Sequence, residues 1–168
     1  ARKIANRIVK ERKKKEINTT IELAEIIRAI VPKNFKKDPA TRTFQAIRIA
    51  VNNELRDLSK ALMFSEKIVR KGGTIAVITF HSLEDKIVKD FGKIMSGKAA
   101  SINRYSPPAL KNFPSLIPVN KKPVVAAIDE LNRNKRAKSA KLRVYKKVSN
   151  STSRVLTKME FPEIELGI

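Results

Sequence analysis

Cysteine and tryptophan are absent from these 168 residues, histidine occurs once and glycine five times. Without thiols there can be no disulfide and no thiolate metal site, which fits a reducing compartment. One imidazole cannot build a multi-histidine centre, and no metal is expected. The glycines are Gly72, Gly73, Gly92, Gly97 and Gly167, with no G-x-G spacing among them. No loop here therefore lets a nucleotide-like cofactor come close to the backbone. No apolar run approaches the ~20 residues that span a bilayer, and the charged N-terminal segment lacks a signal-peptide core. The expectation is a soluble, cytoplasmic protein with no membrane partner. The chain opens at Ala1 in mid-helix pattern, so it is expected to be a fragment.

Positive charge is abundant. Lys and Arg number 37 against 16 Asp and Glu, a net +21, while the hydrophobic share of 42% is ordinary. An excess of this size favours a polyanionic partner, with RNA or DNA first, because clustered cations that neutralise phosphates release counterions. A general lysine bias in composition is the plainer alternative.

Along the chain, Ile4, Ala5 and Ile8 recur at helical spacing ahead of the run Arg12-Lys13-Lys14-Lys15. Thr19 and Glu22 have capping-box spacing and open a second helix that Pro32 stops. Asp38-Pro39 reads as a cap followed by a proline in the first turn. From there Phe44, Ile47, Val51, Leu55, Leu58 and Leu62 keep one stripe for more than five turns, with a kink expected near residues 57–59 where Ser59 could cap a new segment. Gly72 reads as the C′ residue. The dense apolar run at 74–80 predicts a strand buried on both faces, as in a parallel sheet. A helix follows from Leu83 to Met95, ended by Gly97. Five prolines within 98–123 predict an irregular connection with one edge strand near 116–119. A helical turn near 127–131 and a half-buried strand at 139–148 complete the pattern. The last twenty residues read as a tail, and no internal repeat is evident.

Three stretches carry candidate chemistry. In parallel sheets ligands lie beyond the carboxyl ends of the strands, which places His81, Ser82, Glu84 and Asp85 where binding or catalysis is expected. Ser82-x-x-Asp85 also fits a capping pattern, and capping alone would explain those residue types. Arg42, Gln45 and Arg48 are spaced by three near the start of the long helix, on roughly one face suited to phosphates, or else simply solvated. Residues 132–143 hold six cations, including Arg136, Lys138, Lys141 and Arg143, on the approach to a strand, where phosphate contact is favoured over mere solubility. Stacking on unpaired bases has few candidates: Phe35, Tyr105 and Tyr145.

Residues 39–55 (Pro-Ala-Thr-Arg-Thr-Phe-Gln-Ala-Ile-Arg onward), 72–89 with Phe80-His81-Ser82-Leu83-Glu84-Asp85, and Arg136-Ala137-Lys138-Ser139-Ala140-Lys141-Leu142-Arg143 resemble, in order and spacing, the bacterial 16S rRNA cytosine-N4 methyltransferases. The resemblance covers about residues 1–148 and corresponds to the later half of that family's protein. It implies an α/β fold: the C-terminal part of a class I, Rossmann-like methyltransferase sheet plus part of a helical insertion. Expected domains are 1–58 for the RNA-recognising insertion, 59–148 for the core and 149–168 for the tail. This sequence departs from the family at Asp38, where His is usual, and at Lys135, where Pro is usual.

The implied reaction moves a methyl group from S-adenosylmethionine to N4 of a cytosine in 16S rRNA of the small ribosomal subunit. The implied catalytic positions are His81, Ser82, Glu84 and Asp85; the implied RNA contacts are Arg42, Gln45, Arg48, Arg136, Lys138, Lys141 and Arg143. No cofactor-binding residue is assigned, since the main S-adenosylmethionine loop is absent, and the fragment alone is expected to be inactive. Oligomeric state is left open. The rival reading is a non-catalytic basic RNA-binding or ribosome-assembly protein.

Overall fold

A computed structural model of the chain describes residues 1–31, 38–97 and 114–150. It divides into two compact units, Ala1–Asn53 and Glu54–Ile168. Among the described residues no helix is long and apolar enough to cross a membrane.

The first unit holds α1 (Arg2–Arg12), α2 (Thr20–Arg28) and α3 (Ala40–Asn52). The expected capping box is present: the Glu22 N–H donates to Thr19 Oγ1 at 3.2 Å and the Thr19 N–H to Glu22 Oε2 at 3.0 Å. These bonds satisfy backbone donors that the first helical turn leaves unpaired. Asp38 caps α3 by accepting from the Ala40 N–H at 2.9 Å, and its carboxylate is also gripped by Arg28. Ala24, Ile27 and Ala40 form a small core flanked by Ile4, Leu23, Val31 and Phe44. The helical stripe does not run through to residues 57–59. It breaks at Asn53, which adopts a left-handed φ of 53° that asparagine tolerates better than most side chains. Ser59 caps nothing: it is buried inside the next helix, its Oγ donating to the Leu55 carbonyl at 2.8 Å.

The second unit runs α4 (Glu54–Ile68), β1 (Thr74–Thr79), α5 (Ser82–Met95), β2 (Leu116–Pro118), β3 (Val124–Val125), α6 (Ile128–Arg133), a 3₁₀ turn (Lys135–Ser139) and β4 (Lys141–Lys147). β4 lies in the middle, paired with β1 from Thr74↔Lys146 to Thr79↔Lys141 and, on its other edge, with β2 and β3. All these pairings are antiparallel, so the parallel arrangement expected around β1 is not present among the described residues. The expected burial of β1 on both faces is also corrected. Ile75 and Thr79 are buried, whereas Thr74, Ala76 and Ile78 on the opposite face are exposed. Density of apolar residues cannot separate these cases; the alternation of partners does.

The core gathers Leu62, Ile75, Val88, Phe91, Met95, Leu116 and Tyr145 where α4 and α5 cover one sheet face. Each large side chain here contributes roughly 1.5–3 kcal/mol of burial. Tyr145, expected as a stacking residue, is instead structural. It is buried, its hydroxyl donates to the Val88 carbonyl at 2.9 Å, and its ring meets Phe91 edge-on at 6.2 Å. The other two stacking candidates, Phe35 and Tyr105, lie outside the described residues. Gly92 permits the close approach: a Cβ there would stand 2.2 Å from Tyr145 Cε1. Gly72 is not a C′ residue, since α4 ends at Ile68; its φ of 87° turns the chain into β1, and its N–H donates to the Lys147 carbonyl at 2.9 Å. Lys147 and Glu66 form a buried ion pair, Lys147 Nζ also donating to the Glu66 carbonyl at 2.6 Å. The expected tail falls almost wholly outside the described residues.

Candidate functional site

The bend that joins β1 to α5 is set by a local hydrogen-bond device. The capping box begins at His81, not at Ser82 as the sequence motif suggested. His81 is the extended N-cap residue, with φ −141° and ψ 166°, and its Nδ1 accepts from the Glu84 N–H at 3.3 Å. In return, Glu84 Oε2 accepts from the Phe80 N–H at 2.8 Å and the His81 N–H at 3.2 Å. The pattern Ser82-x-x-Asp85 overlaps the pattern His81-x-x-Glu84, and the strand's exit fixes the latter. Ser82 becomes the first helical residue, exposed to solvent.

Asp85, freed from capping, reaches β4. Arg143 Nε donates to Asp85 Oδ1 at 2.8 Å, an Arg143 terminal nitrogen donates to Oδ2 at 3.2 Å, and Lys141 Nζ lies 3.4 Å from Oδ2. The fork of Arg143 beside it holds the Asp85 carboxyl below the usual range, with Lys141 adding to the effect, and Asp85 in turn raises Arg143. Asp85 and Arg143 retain only 14% and 13% side-chain exposure. This clamp therefore joins the helix start to the central strand, a pairing of residues 58 apart that no local pattern signals.

His81 Nε2 points inward. It is buried without a hydrogen-bond partner, 3.3 Å from Glu84 Oε1. Glu54, the first residue of α4, lies in the same nook, one ligating atom from each of Glu54, His81 and Glu84 falling within 4.8 Å of the others. Glu54 was missed in the sequence because only the fold brings α4 to this bend. Around the bend Ile78, Phe80 and Leu83 are exposed apolar side chains. Phe80 is thus an aromatic ring available at the site that the sequence reading did not single out.

The structure brings His81, Glu84 and Asp85 together, with Ser82 at the rim. Among the proposed phosphate contacts, Lys141 and Arg143 converge on Asp85, whereas Arg136 and Lys138 are exposed on the 3₁₀ turn before β4. Arg42 and Arg48 are exposed and Gln45 partly exposed on α3, in the first unit. Gly92 is filled by Tyr145, and Gly72 and Gly73 are a turn before the strand rather than a loop after one.

Against this geometry, the model of the MraW methylase family matches residues 1–148, ending just past β4. The chain belongs to the MraW methylase family. It is 47% identical over 146 residues to the ribosomal RNA small subunit methyltransferase H of Paramagnetospirillum magneticum, covering 85% of this chain and 46% of the relative. The protein of the same name from Methylobacterium nodulans is 49% identical, covering 85% and 43%. That from Ruegeria sp. is 41% identical over 169 residues, covering 98% and 51%. The chain thus spans about half the length of the curated relatives it matches. For a MraW-family chain, the matched region takes in both the capped bend and the Asp85–Arg143 clamp.

Proposed function

We propose that this chain is the RNA-facing half of a methyltransferase that modifies N4 of a cytosine in 16S rRNA, S-adenosylmethionine being the methyl donor. Family membership supports the reaction class. The observation that carries the assignment to this site is the bend after β1, where an imidazole and a carboxylate are held by reciprocal hydrogen bonds beside exposed apolar side chains.

The exocyclic amine of cytosine is a poor nucleophile because its lone pair is delocalised into the ring. A fixed oxygen acceptor for an amine proton raises electron density on that nitrogen, and a rigid frame aligns it. Glu84, its Oε2 taken by the Phe80 and His81 N–H groups and its Oε1 turned to His81, keeps that frame rigid. Phe80 and Leu83 offer apolar surface against which a base removed from its stack could rest. On this reading the methyl donor is held by residues outside this chain.

On this reading the remainder of a class I sheet adds at the free edge of β1, which pairs only with β4 among the described residues, and covers Ala76 and Ile78. Arg42, Gln45, Arg48, Arg136 and Lys138 contact phosphates, and Lys141 and Arg143 chiefly order the bend through Asp85. A basic assembly factor would account for the charge but not for the family match.

Equilibrium dialysis of the 168-residue chain against S-adenosylmethionine tests the division of labour. No tight binding is expected; tight binding would overturn it. Arg42→Ala and Arg48→Ala are each expected to weaken 16S rRNA binding and to lower the salt slope by about one. Unchanged binding at both positions would remove α3 from the RNA face.

A further inference from the structure

The nook formed by Glu54, His81 and Glu84 contains more chemistry than a helix cap requires. His81 Nδ1 accepts the Glu84 N–H, so the neutral ring carries its proton on Nε2. That nitrogen is buried and has no hydrogen-bond partner, on a side chain only 10% exposed. Glu84 Oε1 stands 3.3 Å away but without hydrogen-bond geometry. Glu84 Oε2 is engaged by the Phe80 and His81 N–H groups, which leaves Oε1 facing the imidazole. Glu54 completes the group from a different helix, all three ligating atoms falling within 4.8 Å of one another.

We propose that Glu54, His81 and Glu84 bind one divalent transition ion of the Zn²⁺ kind, which ties the first turn of α4 to the bend after β1. One imidazole and two carboxylates are a donor set that such ions accept readily, whereas Mg²⁺ and Ca²⁺ favour oxygen alone. The charges balance, two carboxylates against one dication. The N-termini of α4 and α5 add at most about +0.5 each in opposition, less than the two full negative charges. The single histidine of the sequence excludes a multi-histidine centre but not this one, and on this point the proposal departs from the expectation of a metal-free protein. The ion is structural, and the site stands whether or not the chain takes part in methylation.

Coordination through Nε2 has a bookkeeping consequence within the ring. The proton leaves Nε2 and resides on Nδ1, and the Glu84 N–H gives up its side-chain acceptor. One long hydrogen bond is exchanged for three metal–ligand bonds, with no change in the number of ring protons. Because the chain has one histidine, a single pair of ring nitrogen signals reports the exchange.

The test is titration of ¹⁵N-labelled, metal-free 168-residue chain with Zn²⁺, followed by NMR and calorimetry. Saturation near about one ion per chain is expected, with Nδ1 changing from a bare to a protonated nitrogen. Glu54→Gln, which leaves the cap intact, is expected to weaken binding by at least about tenfold with the helical circular dichroism unchanged. His81→Asn, which retains a capping side chain, is expected to do the same. Absence of saturable binding, an unaltered ring tautomer, or unchanged affinity in either variant would overturn the site. None of these readouts depends on S-adenosylmethionine or rRNA.

Discussion

Two helices in this chain start with the same reciprocal cap, and they differ in what the cap leaves unexplained. At α2, the Thr19 hydroxyl and the Glu22 carboxylate satisfy one another's backbone, and Lys15 closes over the carboxylate at 3.1 Å. Threonine is among the residues preferred at this position, so the helix start accounts for it fully. At α5 the same role falls to His81, which is outside the preferred set and whose second nitrogen has no partner. The same local motif thus spends every polar atom at one helix start and leaves one imidazole nitrogen over at the other.

The two helix starts should differ most in their effect on activity. In an enzyme of the relatives' full length carrying this chain, Glu84→Gln is expected to lower 16S rRNA methylation by about a hundredfold, whereas Glu22→Gln leaves the chemical step unchanged. Equal effects in a single-turnover methylation assay would deny α5 its special status. Next in size is the clamp that only the α5 start possesses. Asp85→Asn should destabilise the chain by about 2 kcal/mol at neutral pH, read by urea unfolding. The folded carboxyl is depressed below its unfolded value, so its stabilising effect is complete above about pH 4 and is lost as the pH falls through the folded value. Wild type and variant should therefore begin to draw together at about pH 4 and converge only below the depressed folded value.

Cap exchange sharpens the contrast further. Thr19→Ala should cost about 1 kcal/mol, while His81→Ser, which installs a preferred cap, should leave the stability of the metal-free chain within about 0.5 kcal/mol and still reduce methylation. A large loss of stability in metal-free His81→Ser would mean that the imidazole holds the bend by itself, without an ion. The smallest effect belongs to Glu22, whose carboxyl is pulled down to about 2, first by Lys15 and then by the N–H groups of Asn18 and Thr19. Its contribution is present above the unfolded carboxylate range and fades only as the pH falls through about 2. Glu22→Gln should flatten the acid limb of the helical circular dichroism signal between about pH 5 and 2.

What could be read from the sequence was local. Thr19 with Glu22, the span of β1, the end of α5 at Gly97 and the strand entering Tyr145 are set by neighbours a few residues apart. Non-local features were hidden. The apolar stripe continues across Asn53, so periodicity could not show the left-handed residue that ends α3. Two overlapping capping motifs at 81–85 differ by one residue, and residue preference pointed to Ser82 where the strand's exit selects His81. Asp85 meets Arg143, and Glu54 meets His81, only because β4 and α4 pack against α5. Strand direction was equally invisible, since an apolar run reads the same in either orientation.

Gly92 fixes one dimension of the whole assembly by what it omits. With the tyrosine ring seated in the notch, the spacing between the helix axis and the central strand is that of a backbone against an aromatic edge. Adding a single methyl group at this position would act as a shim, lifting the helix and carrying the carboxylate of Asp85 out of reach of its guanidinium. The alignment of the histidine bend is thus governed two to three turns away, by the width of one hydrogen atom.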